Sequence, residues 1–91
     1  MEQHMIELQI LSTPDCPPCE IAMRIAQKLQ GEFPDLSIEK IDMIEHPEVS
    51  VQYRIFSAPG VVINGKLEFV GAPKEKQLRE KLRQIVTSAG A

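Results

Sequence analysis

Tryptophan is absent from this 91-residue chain, and only four aromatic residues occur: Phe33, Tyr53, Phe56 and Phe69. Any interior must therefore be built mostly from Ile, Leu and Val. No apolar run approaches the length of a membrane span, and the start Met1-Glu2-Gln3-His4 lacks the basic residues that open an export signal. A membrane partner is not expected, and the reducing cytoplasm is the expected compartment. A cysteine pair there is more often catalytic or metal-binding than structural. Positive charge is not in excess either. Ten basic residues against thirteen acidic ones leave a net charge of −3, which gives little to hold phosphates, so no nucleic-acid partner is expected. Glycine-rich nucleotide loops, internal repeats, low-complexity tracts and linkers are all missing. An apolar fraction of 43% nevertheless excludes disorder. The length suits one domain, residues 1–91, with a modest core that needs neither a metal nor a disulfide framework.

The apolar pattern supplies the elements. Ile6 to Leu11 reads as a strand, and a helical pattern begins at the cysteines, with Ile21, Ile25 and Leu29 recurring every fourth position and Gly31 as its stop. Pro34-Asp35 makes a turn, and Leu36, Ile38 and Ile41 mark a second strand at about 36–43. Glu45-His46-Pro47-Glu48 starts a short helix that runs to Tyr53 or Arg54, with proline in its first turn. Gly60 to Ile63 is a third strand, Asn64-Gly65 the favoured two-residue hairpin turn, and Lys66 to Val70 the fourth strand. Leu78, Leu82, Ile85 and Val86 form the stripe of a last helix. Its charges (Lys74, Lys76, Arg79, Glu80, Lys81, Arg83) read as a solvated face. The order is βαβαββα, an α/β fold with a four-stranded mixed sheet and helices on both faces. The first two strands are parallel and the last two antiparallel. Glu7 and Gln9 share one face of the first strand, so the helix layer over that end should be incomplete.

Chemistry is concentrated in Thr13-Pro14-Asp15-Cys16-Pro17-Pro18-Cys19, which holds both cysteines. Thiols at this spacing can close a small ring, and reduction opens it without unfolding the rest. A strand before the pair and a helix after it separate a redox motif from a zinc knuckle. Attack on a disulfide needs a thiolate. Cys16 falls where the helix begins, beside unpaired backbone N–H groups and the positive end of the helix dipole. Cys19 comes a turn later and deeper, placed to attack a mixed disulfide formed on Cys16. Pro17 and Pro18 fit the first turn, since the N–H groups they lack would be orphans there. They also withhold two donors from the Cys16 sulfur, and Asp15 adds a repelling charge. The Cys16 thiol is therefore expected to sit moderately below the free-thiol range.

Other uses of the pair are open at this point. As a structural staple, so short a loop contributes only about 2 kcal/mol on the chain-entropy model. A zinc site needs two further ligands, and only His4 and His46 are available, in no paired spacing. A metal or iron–sulfur cluster could also bridge two subunits through the same thiols. Exchange is the reading that uses strand, helix and pair together. It expects no metal and no cofactor beyond the Cys16–Cys19 disulfide.

The chain resembles the thioredoxin-like superfamily over most of its length. The resemblance rests on Cys16-Pro17-Pro18-Cys19 after the first strand, Lys40-Ile41-Asp42 on the second, and Tyr53 to Pro59 before the hairpin. Val61-Val62-Ile63-Asn64-Gly65, Val70-Gly71 and the terminal helix follow. Its compactness and its Val-Ile-Asn-Gly-Lys run are most similar to the small thioredoxin/glutaredoxin-like proteins of prokaryotes. The resemblance implies a dithiol–disulfide oxidoreductase with catalytic Cys16 and Cys19 and a cis peptide bond before Pro59, facing the cysteines. It implies that the backbone of Ala58 is free to pair with a substrate segment, beside an apolar surface from Pro17, Ala58, Gly71 and Ala72. Lys40 matches the family's strand lysine and, with Asp15, is a candidate for tuning a thiol.

Two departures stand out. Asp15 replaces the tryptophan that thioredoxins carry before the first cysteine, and Ile10 replaces their buried acid. Glutaredoxins lack that acid too. Their glutathione site, however, uses Thr or Val before the cis proline and a Gly-Gly/Cys-Asp run at the last helix, where this chain has Ala58 and Gly71-Ala72-Pro73-Lys74. Protein disulfides are thus the expected substrates of a monomer, re-reduced by a separate reductase or a low-molecular-weight thiol. A glutathione-coupled, glutaredoxin-like enzyme is the alternative, and a metal-holding module a further one.

Overall fold

Seven elements follow in the expected order: β1 Ile6–Ser12, α1 Pro17–Leu29, β2 Leu36–Asp42, α2 Pro47–Tyr53, β3 Gly60–Ile63, β4 Lys66–Val70 and α3 Glu75–Ala89. They are seen in a computed structural model that describes residues 5–89. Met1 and His4 lie outside the described residues, among which no helix is long and apolar enough to cross a membrane.

The strands form one sheet in the order β2-β1-β3-β4. β1 and β2 are parallel, with Ile6 opposite Leu36 and Ile10 opposite Lys40. β3 runs antiparallel to β1, placing Gly60 opposite Leu11. It closes a hairpin with β4 that carries an irregularity between Val61 and Val62. Asn64 (φ 51°) and Gly65 (φ 82°) are both left-handed, as a type I′ turn demands.

Strand alternation divides the core between two faces. Ile6, Leu8 and Ile10 pack with Val61 and Ile63 against Ala22, Ala26 and Leu29 of α1 and Leu78 and Leu82 of α3. Each Leu or Ile buried in this way contributes about 1.5–3 kcal/mol. On the other face Leu11 and Val62 meet Met43 and Ile55, with Val49 and Tyr53 of α2 packed alongside. α2 is only seven residues long. Glu7 at the far end of that face stays exposed, and Gln9 donates to Glu39 at 3.2 Å. The layer is incomplete there, as the Glu7–Gln9 pattern indicated.

Three details differ from expectation. The inner face of α1 is Cys19, Ala22, Ala26 and Leu29, while Ile21 is 45% exposed. Two alanines let the helix lie close to the sheet, and their small size hides them from a pattern based on large side chains. α1 ends at Leu29 with Gln30 as its C-cap, so the helix stops at Gly31 as expected, but with no left-handed residue closing it. Val86 is exposed, one step around α3 from the half-buried Ile85.

The charges of α3 are also less free than a solvated face would be. Arg79 forks onto Glu32 at 2.8–3.0 Å and reaches Glu75 at 2.8 Å, and Lys28 meets Glu75 at 3.0 Å. Lys81 pairs with Glu68 at 3.3 Å. The network ties the end of α1 and the following loop to α3. Its hydrogen bond from Arg79 holds the Glu32 carboxyl below the usual carboxylate range, and those from Lys28 and then Arg79 do the same for Glu75. The bonds that Arg79 donates, to Glu32 first and then to Glu75, hold it further into its charged form.

Candidate active site

β1 delivers the chain to the cysteines and stays anchored to its last residue. Ser12 is buried, its hydroxyl lies 3.4 Å from the carbonyl of Ile41, and its own carbonyl accepts the Met43 N–H at 2.8 Å. Asp15 then adopts a left-handed conformation (φ 54°), which Asp tolerates better than most residues. Cys16 follows in extended backbone (φ −120°, ψ 92°) as the N-cap of α1, with Pro17 and Pro18 at the first two helical positions. Both prolines are exposed and neither has an N–H to offer. The first available donor is the N–H of Cys19, which reaches Cys16 Sγ at 3.1 Å and the Cys16 carbonyl at 3.0 Å.

The two sulfurs are joined at 2.09 Å, with their Cα atoms 5.2 Å apart. They are not equivalent. Cys16 is half-buried at the helix start, whereas Cys19 is 3% exposed on the inner face of α1. An incoming disulfide can reach only the first.

The sheet register brings a second segment to the same end. Because Gly60 stands opposite Leu11 and Val70 opposite Gly60, the start of β3 and the end of β4 both lie where β1 gives way to the cysteine loop. The Ala58–Pro59 peptide is cis, and Pro59 is buried. Its carbonyl accepts the N–H of Gly71 at 2.7 Å, and Gly71 (φ 95°) has the freedom for that turn. Ala58 is half-buried against the Leu11 side of the core, and Ala72 is exposed. The register thus gathers the cysteine loop, Pro59 and Gly71, with Ala58 and Ala72 beside them. Lys40 does not join them by any ion pair or hydrogen bond among the described residues, and it is exposed on the edge strand β2. Ile10, in register with it, is fully buried and holds no proton acceptor. Among the described residues no three His, Cys, Asp or Glu side chains form a group that could hold a metal ion. His46 is the N-cap of α2 and meets Glu48 at 3.3 Å.

A pair of unequal thiols at a helix N-terminus, beside a cis-proline loop, narrows the family, and comparison with known proteins decides it. The thioredoxin domain matches residues 6–83. The thioredoxin of Methanocaldococcus jannaschii is 34% identical over 80 residues, spanning 87% of this chain and 94% of that protein. The chain belongs to the thioredoxin family. Membership and the Cys16–Cys19 disulfide make it a thiol–disulfide oxidoreductase. Solved structures agree on the fold. Chloroplastic thioredoxin z superposes with a TM-score of 0.78 at 24% identity, over 91% of this chain and 80% of that one. Oxidised mitochondrial thioredoxin 3 from Saccharomyces cerevisiae gives 0.73 at 22%, over 90% and 80%. These relatives favour neither the glutathione-coupled nor the metal-holding alternative.

Two features of the site escaped the sequence reading. Ser12 is a buried polar residue at the end of β1, signalled only by a hydroxyl closing an apolar run. Phe56, which the sequence pattern assigned to no face, stands in solvent just before the cis-proline.

Proposed function

We propose that this thioredoxin reduces protein disulfides, with Cys16 as the attacking thiolate and Cys19 as the resolving thiol. The observation that carries the assignment is the asymmetry of the pair, Cys16 half-buried at the N-cap and Cys19 closed off beneath it. Cys16 Sγ attacks one sulfur of the substrate, the substrate S–S bond breaks, and one half leaves as a thiolate. Cys19 Sγ then attacks Cys16 Sγ, releasing the other half and closing the Cys16–Cys19 bond. Two electrons pass to the substrate. A separate reductase or a low-molecular-weight thiol returns them, and the cysteine pair is the only redox group required. The helix N-terminus and the Cys19 N–H favour negative charge on Cys16 Sγ, while Pro17, Pro18 and Asp15 limit that gain. Residues 1–91 work as a single monomeric domain in a reducing cytoplasm.

Mixed-disulfide trapping tests the roles. Cys19→Ser should accumulate a covalent adduct with a disulfide-bearing protein, and Cys16→Ser should form none and reduce nothing. Adducts on Cys19 in the Cys16→Ser variant would reverse the assignment.

A further inference from the structure

Ser12, 1% exposed, is the one buried polar side chain among the described residues. Its hydroxyl is poorly used. The Ile41 carbonyl it faces lies 3.4 Å away, beyond the range of about 2.5–3.0 Å in which a hydroxyl bonds well. An enclosed polar group with so weak a partner calls for a reason. Strand alternation puts Ser12 on the side of β1 that carries Ile6, Leu8 and Ile10, which pack with Ala22, Ala26 and Leu29 of α1. Residues 13–16 turn the chain back between the two elements. Followed toward that loop, the inward row of α1 ends at Cys19 and the inward row of β1 ends at Ser12. Both are enclosed, and together they close the layer at its active-site end.

The charged groups around this layer are bonded elsewhere or face solvent. Asp42, opposite Ser12 on β2, accepts the N–H groups of Ile44 and Glu45 through Oδ1 at 2.8 and 3.4 Å. Lys40, opposite Ile10, is exposed, as are Asp15 in the loop and Glu20 on α1. From β3 and α3 the buried side chains of the layer are Val61, Ile63, Leu78 and Leu82.

We propose that the Ser12 hydroxyl turns from the Ile41 carbonyl to Cys19 Sγ when the disulfide opens, and donates to the Cys19 thiolate that resolves the mixed disulfide. The proposal rests on the reading of Cys19 as the resolving thiol. Rotation about one side-chain bond carries a serine hydroxyl to a new partner without moving the backbone. The hydroxyl acts as a donor and not as a base, and takes no proton from Cys19. In the oxidised pair Cys19 Sγ carries no charge, and the hydroxyl rests on the carbonyl. Once Cys19 is free, burial pushes its thiol up, because a thiolate there loses water. One hydrogen bond to the charged form opposes that rise by about one pH unit.

The test uses the full chain, reduced beforehand, and dithiodipyridine. At about pH 4 Cys16 Sγ attacks the reagent, one thiopyridone leaves, and a mixed disulfide remains on Cys16. A stopped-flow jump to higher pH ionises Cys19. Its Sγ then attacks Cys16 Sγ, expels the second thiopyridone and closes the protein disulfide, so the second rise in absorbance reads resolution. In Ser12→Ala the rate profile should move up by about one pH unit. The thiolate present at neutral pH falls about tenfold, its greater nucleophilicity restores about threefold, and resolution slows about threefold. That deficit should vanish between the two midpoints and invert above them, since a thiolate without a donor attacks faster. Ser12→Thr keeps the hydroxyl and should return the profile to that of the wild type. With Cys16→Ser as background, thiolate absorbance should show Cys19 displaced upward when Ser12→Ala is added. A profile and a titration unmoved in Ser12→Ala overturn the proposal. Uniform slowing at every pH overturns it too, and marks the hydroxyl as merely structural. Failure of the parent reading looks different: Cys16→Ser would then take up the reagent as fast as the wild-type protein.

Discussion

Reducing the Cys16–Cys19 bond should lower stability by about 2 kcal/mol at pH 6 and leave the protein folded. The cysteines are three positions apart, and closing so short a loop removes about 2 kcal/mol of chain entropy from the unfolded state. Neither core cluster contains a cysteine, so the packing survives reduction. Thiolate stabilisation in the reduced form opposes the loop term. Its sign follows from the expected lowering of the Cys16 thiol in the folded state. The contribution is absent well below the folded value, grows as pH rises through it, and is complete above the unfolded thiol's value of about 8.5. Half-ionisation is worth only about 0.4 kcal/mol, so the loop term wins in acid and near-neutral solution. The oxidised form should therefore be the more stable at pH 6, with the gap narrowing toward pH 9. With no tryptophan to report, urea unfolding followed by circular dichroism is the suitable assay. A slope of about 1 kcal/mol/M would separate the midpoints by about 2 M. By linkage, the folded pair lies about 40 mV below the same pair in the unfolded chain. Equal midpoints at pH 6, or a more stable reduced form there, would refute the reasoning.

Asp15→Asn should change selectivity by charge. A unit charge at about 7 Å in water is worth about 0.6 kcal/mol, or roughly threefold, so the variant should gain rate with oxidised glutathione and lose it with cationic cystamine. An unchanged ratio of the two rates would remove Asp15 from the recognition of small disulfides. Glu32→Gln should lower the melting temperature at pH 7. The Glu32 carboxyl is depressed in the folded state, so its stabilisation is complete above the ordinary value of 4.5 and is lost as pH falls through the depressed one. The gap between variant and wild type should shrink toward pH 3 and in high salt, and a gap indifferent to both would contradict the ion-pair account. Gly60→Ala drives a methyl into Ile55 Cδ1, an overpacking that costs about 1–3 kcal/mol. The double variant with Ile55→Val should recover part of it, and an unaltered urea midpoint in the single variant would show that the loop gives way freely.

Local rules made the fold legible. The Asn64-Gly65 turn, the β-branched run before it and proline at the start of α2 each specify their element through short-range chemistry, and the observed ranges follow them closely. Much of the site was legible for the same reason, because Cys16, Pro17, Pro18 and Cys19 are neighbours in sequence. What escaped depends on distance through space. Ala22 and Ala26 face inward because the helix lies close to the sheet, a contact that no pattern of large apolar residues contains. Arg79 meets Glu32 across 47 positions. Phe56 is turned outward by Ile55, whose own direction is set by the missing side chain at Gly60.

In the proposed role of resolving thiol, Cys19 must lose a proton while almost wholly enclosed. On the α1 side of β1 the preceding residues are Ile6, Leu8 and Ile10, all buried and all aprotic. Ser12 is the one buried polar residue described, and a hydroxyl is far too weak a base to hold that proton at neutral pH. The proton must therefore pass to water before attack, by the route the substrate uses. Resolution should then accelerate tenfold per pH unit across the neutral range, following the Cys19 thiolate alone. Stopped-flow resolution of a preformed Cys16 mixed disulfide reads this profile directly, and an additional inflection between pH 6 and 8 would reveal a buried base and refute it. Ile10→Asp should create such an inflection, since a carboxyl placed in that apolar wall titrates well above its usual range.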